Sequence, residues 1–492
     1  MEELLPYGVG VHAETHPLRL ATLAALRGVT ATPVDRCRVL ELGCAQAGNM
    51  LYLADAYPES QFVGVELSAS EVAIAHDLAT SLGLTNIEIH ALDIADVDTS
   101  MGEFDYVIAH GVYSWVPDAV RDHILHICAQ QLAPGGLAYI SYNVYPGWAV
   151  GEAVRTILRD HVQAIADPAE QVAAARVRLQ ALANEADSST PWGALLATRC
   201  DQLLGVPDAY LDHEYLGPYS TAYHLHEMVA QLDAHGLRYV DDLIVTEAPP
   251  MVQRANRASG LADVRNQQLY DLVNGTAFRA ALVCRGDEPV GPPPRIDDLL
   301  GFHVSAALSV QGQLVVEDFS EGEFATRKGG ALRTTSPVMK AALAALADRW
   351  PAAVRIGDLA EAVDGWVAPE LRDDTGGNTA RHLVRELMGM HRQGIAEFAA
   401  GTYPFTTELS DRPIVAPATR LLAERSAMVG NRRHEELELD DVLLAVARLL
   451  DGTRSAGDVV DALATHTHER AELEQLVPRA LQILAANALL VG

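Results

Sequence analysis

Cysteine is scarce and unpatterned: Cys37, Cys44, Cys128, Cys200 and Cys284 are odd in number, lie far apart and include no CxxC pair. That excludes a disulfide framework and the common zinc spacings, and leaves the thiols as reduced packing residues. No apolar run approaches the ~20 residues that cross a bilayer, so no membrane insertion is expected. The opening MEELLPYGVG lacks the basic and apolar regions of a secretory signal, which predicts a cytoplasmic location. Positive charge is thin too: 36 Lys and Arg stand against 66 Asp and Glu, giving a formal charge of −30. Without a dense basic stripe to offset that field, nucleic acid is not an expected partner.

What is present is a globular composition, 49% apolar and 21% charged, in a chain of 492 residues that can bury several cores. Five β-rich runs alternate with helical patterns: RVLELG (38–43), QFVGVEL (61–67), IEIHALD (87–93), FDYVIAHG (104–111) and GLAYISYN (136–143). That alternation predicts βαβ units and a parallel, doubly wound α/β sheet. Ser68 to Glu71 fits a capping box for a helix that Gly83 ends, and a second helix opens with Pro117 in its first turn and stops at Pro134-Gly135-Gly136.

The pattern then changes. Residues 149–221 read as a helical insertion, or lid, between a first part (1–148) and a completing part (222–286) of one sheet domain. A helix at about 223–235, then LRYVDD (237–242) and TAFRAALVCR (276–285), would bring the sheet to seven strands. A Pro- and Gly-rich linker (287–300) leads to two units of winged-helix outline, 301–402 and 403–492, each a long helix, a short helix and a second long helix. Their one basic cluster is Arg432-Arg433-His434, so contact with protein is expected of them rather than contact with DNA.

Chemistry concentrates at the strand ends. Strand 1 runs into Glu41-Leu42-Gly43-Cys44-Ala45-Gln46-Ala47-Gly48-Asn49, a small-residue loop at the edge where open α/β sheets hold ligands. Taken alone, the loop fits a tight turn or a dinucleotide site equally well. Glu66 ends strand 2, where a carboxylate can accept from ribose hydroxyls, and Asp93 ends strand 3, where one can accept from an adenine amino group. A nicotinamide site has no comparable need for that third acid, and the loop has no Lys or Arg for a phosphate. The three features in register favour S-adenosylmethionine (SAM) over NAD.

THPLRL (15–20), CRVLELGC (37–44), YPESQFVGVELS (57–68), EFDYVIAHGVYSWVP (103–117), APGGLAYISYNVYPGW (133–148), LDHEYL (211–216) and HEMVAQLDAHGLRYV (226–240) closely resemble a bacterial group of class I methyltransferases. That group carries a methyltransferase regulatory domain and includes protein-lysine methyltransferases acting on rickettsial outer-membrane proteins. The resemblance implies a SAM-dependent transferase. It assigns Gly43 and the loop through Cys44, Ala45 and Asn49 to the methionine part, Glu66 to the ribose and Asp93 to the adenine, with Glu41, Leu67 and Ile94 also in the cofactor-binding set. His110 and Gly111 complete the implied cofactor set, and His110 to Trp115 would face the transferring methyl; His16, in THP, either closes over the cofactor or hydrogen-bonds the entry of its helix. One departure stands out: the group has ELGCGDGGN where this chain has Ala45, Gln46 and Ala47. If either alanine must adopt φ > 0, it costs on the order of 1 kcal/mol.

Tyr113 and Trp115 after strand 4, with Tyr142, Tyr145 and Trp148 after strand 5, gather aromatic faces that can hold an ammonium by cation–π attraction. With His110 they form the expected catalytic set, and His110, Tyr113 and Tyr142 are the candidates to help deprotonate an amine. The expected acceptor is a lysine in a protein or peptide. Alternatives are a small molecule or tailored peptide methylated on O, N or C, or a SAM-binding scaffold without turnover. The reading also leaves room for a homodimer.

Overall fold

The computed structural model describes residues 8–244, 263–327, 329–372, 376, 378–464 and 470–491, so most of the opening MEELLPYGVG lies outside it. The five expected strands are β1 (Arg38–Leu42), β2 (Gln61–Glu66), β3 (Ile87–Ala91), β4 (Phe104–Ala109) and β5 (Leu132–Val144). They are joined by β6 (Ala222–Tyr223), β7 (Leu237–Asp242) and β8 (Phe278–Arg285). Seven strands follow the order β3-β2-β1-β4-β5-β8-β7, and the two-residue β6 adds an eighth by pairing with the end of β5. Strands β1 to β5 are parallel, and β8 runs antiparallel to both neighbours. The order reverses between β1 and β4, which opens a crevice at the carboxyl edge there.

Both faces of this sheet are covered, as continuous apolar strands require. Val39, Tyr106, Leu137 and Leu282 pack to one side and Leu40, Val107, Ile140 and Val283 to the other. Helices α1 (Pro17–Leu26), α2 (Gly48–Ala56), α3 (Ala69–Leu82) and α4 (Asp118–Gln131) cover the first four strands. Ser68 Oγ accepts from Glu71 N at 3.4 Å, and Gly83 turns left-handed (φ 66°) to end α3. Pro117 caps α4 from just outside, one position earlier than expected. β5 also begins earlier, running through Pro134-Gly135-Gly136 with a register shift against β4, because Pro134 has no N–H to donate and Gly135 has φ 76°.

The insertion is helical: α5 (Trp148–Val162), α6 (Pro168–Glu185), α7 (Pro191–Leu204) and α8 (Asp208–Tyr210), the last running into a π-helical turn at Leu211–Leu216. It has its own core of Val154, Leu158, Leu179 and Tyr215, anchored on Trp148. The chain returns through α9 (Leu225–Ala234) and α10 (Val264–Asn274). α10 is unforeseen, although Asp263 caps it and Gly275 ends it.

Beyond the linker, α11 (Pro337–Arg349), α12 (Ile356–Trp366) and α13 (Thr379–Arg392) pack on a small sheet of 354–355, 303–305 and 397–399. α14 (Pro417–Leu422), α15 (Asp441–Leu449), α16 (Ala456–Ala464) and α17 (Arg470–Ala486) form the second unit with the pair 414–415 and 490–491. Each unit has a separate apolar core. A three-stranded sheet over 308–334 was not foreseen. No helix among the described residues is long and apolar enough to cross a membrane.

Candidate active site

The loop after β1 leaves the sheet with the N–H groups of Gly43 and Cys44 both donating to Val65 O, at 2.8 and 3.1 Å. Gly43 has φ 73°, and a Cβ there would lie 2.6 Å from Val112 Cγ2, so the loop after β4 requires glycine at this point. Ala45 and Ala47 do adopt left-handed φ, 46° and 58°, so the conditional strain expected at both positions is present. Glu66 holds the loop in that shape: Oε2 accepts from Ala45 N at 3.0 Å while Oε1 accepts from Ser68 N at 2.9 Å. Beside it Leu67 is half exposed. At the end of β3, Asp93 accepts from Ala95 N at 2.9 Å, and Ile94 is buried beneath.

Under the loop lies Glu41, buried on β1. Burial pushes its carboxyl up to about 8, against a hydrogen bond from Asn49 Nδ2 to Oε1 at 3.0 Å that pulls it down. Its second oxygen is buried with no hydrogen-bond partner. Around the loop lie a buried carboxyl with one unpartnered oxygen, an exposed apolar shelf at Leu67 and acids at the ends of β2 and β3. These residues fit SAM: an ammonium for Glu41, hydroxyls for Glu66 and an adenine edge for Asp93. Cys44, by contrast, turns into the core against Gly64, and contributes only backbone.

His110 follows β4. Its Nδ1 meets Tyr139 Oη at 3.0 Å, its ring stacks on His12 with centroids 3.8 Å apart, and burial drives it down to about 3, so it is neutral. Gly111 (φ 66°) donates to Ser141 Oγ at 2.8 Å, tying the loop to β5. Sequence reasoning missed His12 and Glu14, whose ligating atoms lie within 4.8 Å of each other and of His110. Only the local HAETH spelling could have suggested them.

The six predicted catalytic side chains do not form one cluster. Tyr113 is fully buried, its hydroxyl donating to Gln231 at 2.8 Å, and Tyr142 is buried against the β7–β8 side of the core. Trp148 is 3% exposed and bonded through Nε1 to Glu152 and Ser220, a packing position under the insertion. Trp115 stands edge-on to it. Tyr145 instead lines an open cavity of about 470 Å³ with Ala222, Tyr223, His224, Glu227 and Gln231. This cavity sits at the end of β5, on the same edge as the loop after β1. His16 is not at the rim: it caps α1, accepting from Leu18 N at 3.0 Å, and packs edge-on to Tyr57, Tyr403 and His434. Of its two expected roles, helix entry is the one these contacts describe.

Arg432-Arg433-His434 is likewise no surface patch. All three are buried, with Arg432 paired to Asp55 at 3.0 Å, Arg433 paired to Glu397 and stacked 4.5 Å over Trp350, and His434 bonded to Asn49.

Residues 39–136 match a family model described as a methyltransferase domain, 207–285 one described as a predicted methyltransferase regulatory domain, and 411–471 one described as the PKMT C-terminal winged helix domain. The uncharacterized protein RP028 of Rickettsia prowazekii is 32% identical over 46% of this chain and 90% of its own length. RP789 of the same organism is 28% identical over 99% of this chain and 93% of its own. A solved structure of PKMT2 from Rickettsia typhi, also described in complex with AdoHcy, shares the fold with a TM-score of 0.88 at 24% identity, covering 99% of this chain and 100% of that one. The chain belongs to the class I SAM-dependent methyltransferases that carry a methyltransferase regulatory domain.

Proposed function

We propose that this methyltransferase acts on a lysine side chain in a protein or peptide. The observation that carries the reading is the open cavity at the end of β5, where Tyr145, Tyr223 and His224 stand beside the Glu227 carboxylate. Aromatic faces with one acid suit an ammonium-bearing chain entering from solvent. The description PKMT, attached to the matched winged-helix family and to the Rickettsia typhi structure, supports the same acceptor class.

When bound, SAM supplies a methyl on a sulfonium, open to in-line displacement by an amine. Glu66, by fixing Ala45 and Ser68, would keep the loop in its left-handed shape, and Glu41 would pair with the methionine ammonium. The acceptor must be neutral at transfer, against an ordinary lysine pKa of ~10.4. The aromatic faces and the Glu227 carboxylate favour the ammonium, so the cleft binds the charged chain, and its proton must leave to solvent through the open mouth before transfer. Tyr113 and Tyr142 are pushed above the ordinary tyrosine range by burial and stay protonated, so they act as donors or packing. His110, neutral and bonded to Tyr139, is not part of the lining of that cleft.

The test is transfer of radiolabelled methyl from SAM into a bacterial lysate, separated into macromolecules and small molecules, with Glu66→Ala in parallel. Label in protein that disappears with the variant, and maps to lysine, supports the reading. Label confined to small molecules overturns it. Self-labelling is a small background, since the chain has two lysines, Lys328 and Lys340, and Lys340 Nζ is buried on the carbonyls of Val315, Asp318 and Ser320.

A further inference from the structure

The second C-terminal unit reaches the loop after β1 through one residue. Asn49, in the first turn of α2, donates from Nδ2 to Glu41 Oε1 at 3.0 Å and to Thr15 Oγ1 at 2.9 Å. Its Oδ1 accepts from His12 N at 3.1 Å and faces His434 Nε2 at 2.5 Å. Because the amide oxygen is an acceptor, the network assigns the proton to Nε2 of a neutral His434, whose charge burial suppresses.

His434 is held to that place. It has φ 62°, and Asn431 Oδ1 accepts from the N–H groups of Arg433 and Glu435 to fold the turn that presents it. Further along the same face of α2, Tyr52 Oη accepts from Gly430 N at 2.7 Å, and Asp55 pairs with Arg432 and accepts from Ala418 N at 3.1 Å. Positions 49, 52 and 55 are spaced three apart, so one stripe of the helix is gripped by the segment 418–434. A Cβ at Gly430 would sit 2.9 Å from the Tyr52 ring, so this approach requires glycine. The helix so gripped is the direct continuation of the strained loop Gly43–Ala47.

We propose that the C-terminal unit sets SAM affinity from a distance, with His434 as a positioning residue that acts through Asn49 on Glu41 and the loop. The inference rests on the reading that this loop holds the methionine part of SAM. A partner or truncation that lifts the C-terminal unit would then loosen the cofactor without touching the acceptor cleft. The chain of contacts ends on a buried carboxyl whose second oxygen has no hydrogen-bond partner, so a small rotation of Asn49 is felt where we place the ligand's charge.

The experiment measures SAM binding by calorimetry and KM for SAM and for acceptor in the full-length protein, with thermal melting alongside. His434→Ala is expected to weaken SAM about tenfold, the effect of losing one buried hydrogen-bond donor, with acceptor KM within about twofold and kcat retained at saturating SAM. His434→Gln, which keeps a donor of similar reach, is expected to restore most of the affinity, and His434→Asn, one methylene shorter, is not. If His434→Ala does not fold, the Gln and Asn pair decides the matter. Unchanged SAM affinity in a folded His434→Ala, or equal losses for SAM and acceptor that Gln does not rescue, overturns the inference. No SAM binding by the unaltered protein overturns instead the reading of the loop on which it rests.

Discussion

The backbone N–H of Ala45 donates to Glu66 Oε2 at 3.0 Å, so the acid that ends β2 holds a non-glycine residue in left-handed conformation. Loop shape thereby depends on one side chain, the same one to which we assign the ribose as a proposal. Glu66→Ala leaves the Ala45 and Ser68 donors without acceptors and removes the hydroxyl partner as well. Both donors are part-buried, so water replaces part of what is lost and the cost falls on loop shape; with the proposed hydroxyl contact also gone, SAM binding should weaken by about tenfold in calorimetry. Retained affinity in a folded variant would place the ribose elsewhere.

A substitution that relieves the loop is expected to help. A left-handed alanine costs about 1–2 kcal/mol, and glycine gives back about 0.5–1 kcal/mol through unfolded-chain entropy. Ala45→Gly, at a half-buried position, should therefore stabilise the folded protein by about 0.5–1 kcal/mol and leave SAM affinity equal or better. Ala47 is fully buried, so Ala47→Gly also loses a packed methyl and should be close to neutral. Denaturant midpoints for the two variants distinguish the accounts.

The catalytic sheet was legible because its strands are buried on both faces and its acids fall at strand ends, which period and composition record. Ala45 and Ala47 were flagged by the glycines they replace, and the structure gives both φ > 0. What sequence could not record were contacts made across long separations. Arg432 and Arg433 stood out as the one basic cluster although Glu435 follows closely and pairs with Arg433 at 3.5 Å, and the partners that complete their burial, Asp55 and Glu397, come from α2 and from the first winged-helix unit. The aromatic motifs were likewise visible as types, but which ring lines the cleft depends on the insertion folding over Trp148 and leaving Tyr145 at the rim.

Glu41 predicts a pH dependence. With its carboxyl raised to about 8, the folded, ligand-free protein keeps this proton at neutral pH, whereas an ammonium ligand favours the carboxylate. SAM affinity should therefore rise from pH 6 to about 8 and then level off, with proton release on binding near pH 7 seen as a buffer-dependent calorimetric heat. For stability the sign is opposite: a raised carboxyl binds its proton more tightly when folded, so its contribution falls as pH climbs from the ordinary carboxyl range through about 8. Glu41→Gln should flatten both profiles, and a wild-type affinity that does not move with pH would mean that Glu41 does not meet the ligand's charge.

Tyr145 and Tyr113 give the last contrast. Tyr145 lines the cleft, and an exposed cation–π contact is worth about 0.5–1 kcal/mol. Tyr145→Ala should then raise acceptor KM roughly two- to fivefold while SAM affinity stays put. Tyr113 lies behind the cleft wall, its hydroxyl on Gln231. Tyr113→Phe keeps the packed ring and removes one hydrogen bond, about 1 kcal/mol of net stability, so its effect should appear in melting more than in KM. Were Tyr113→Phe instead to abolish turnover in a protein that melts normally, with Tyr145→Ala silent, the acceptor would have to enter between β4 and the insertion rather than at the end of β5.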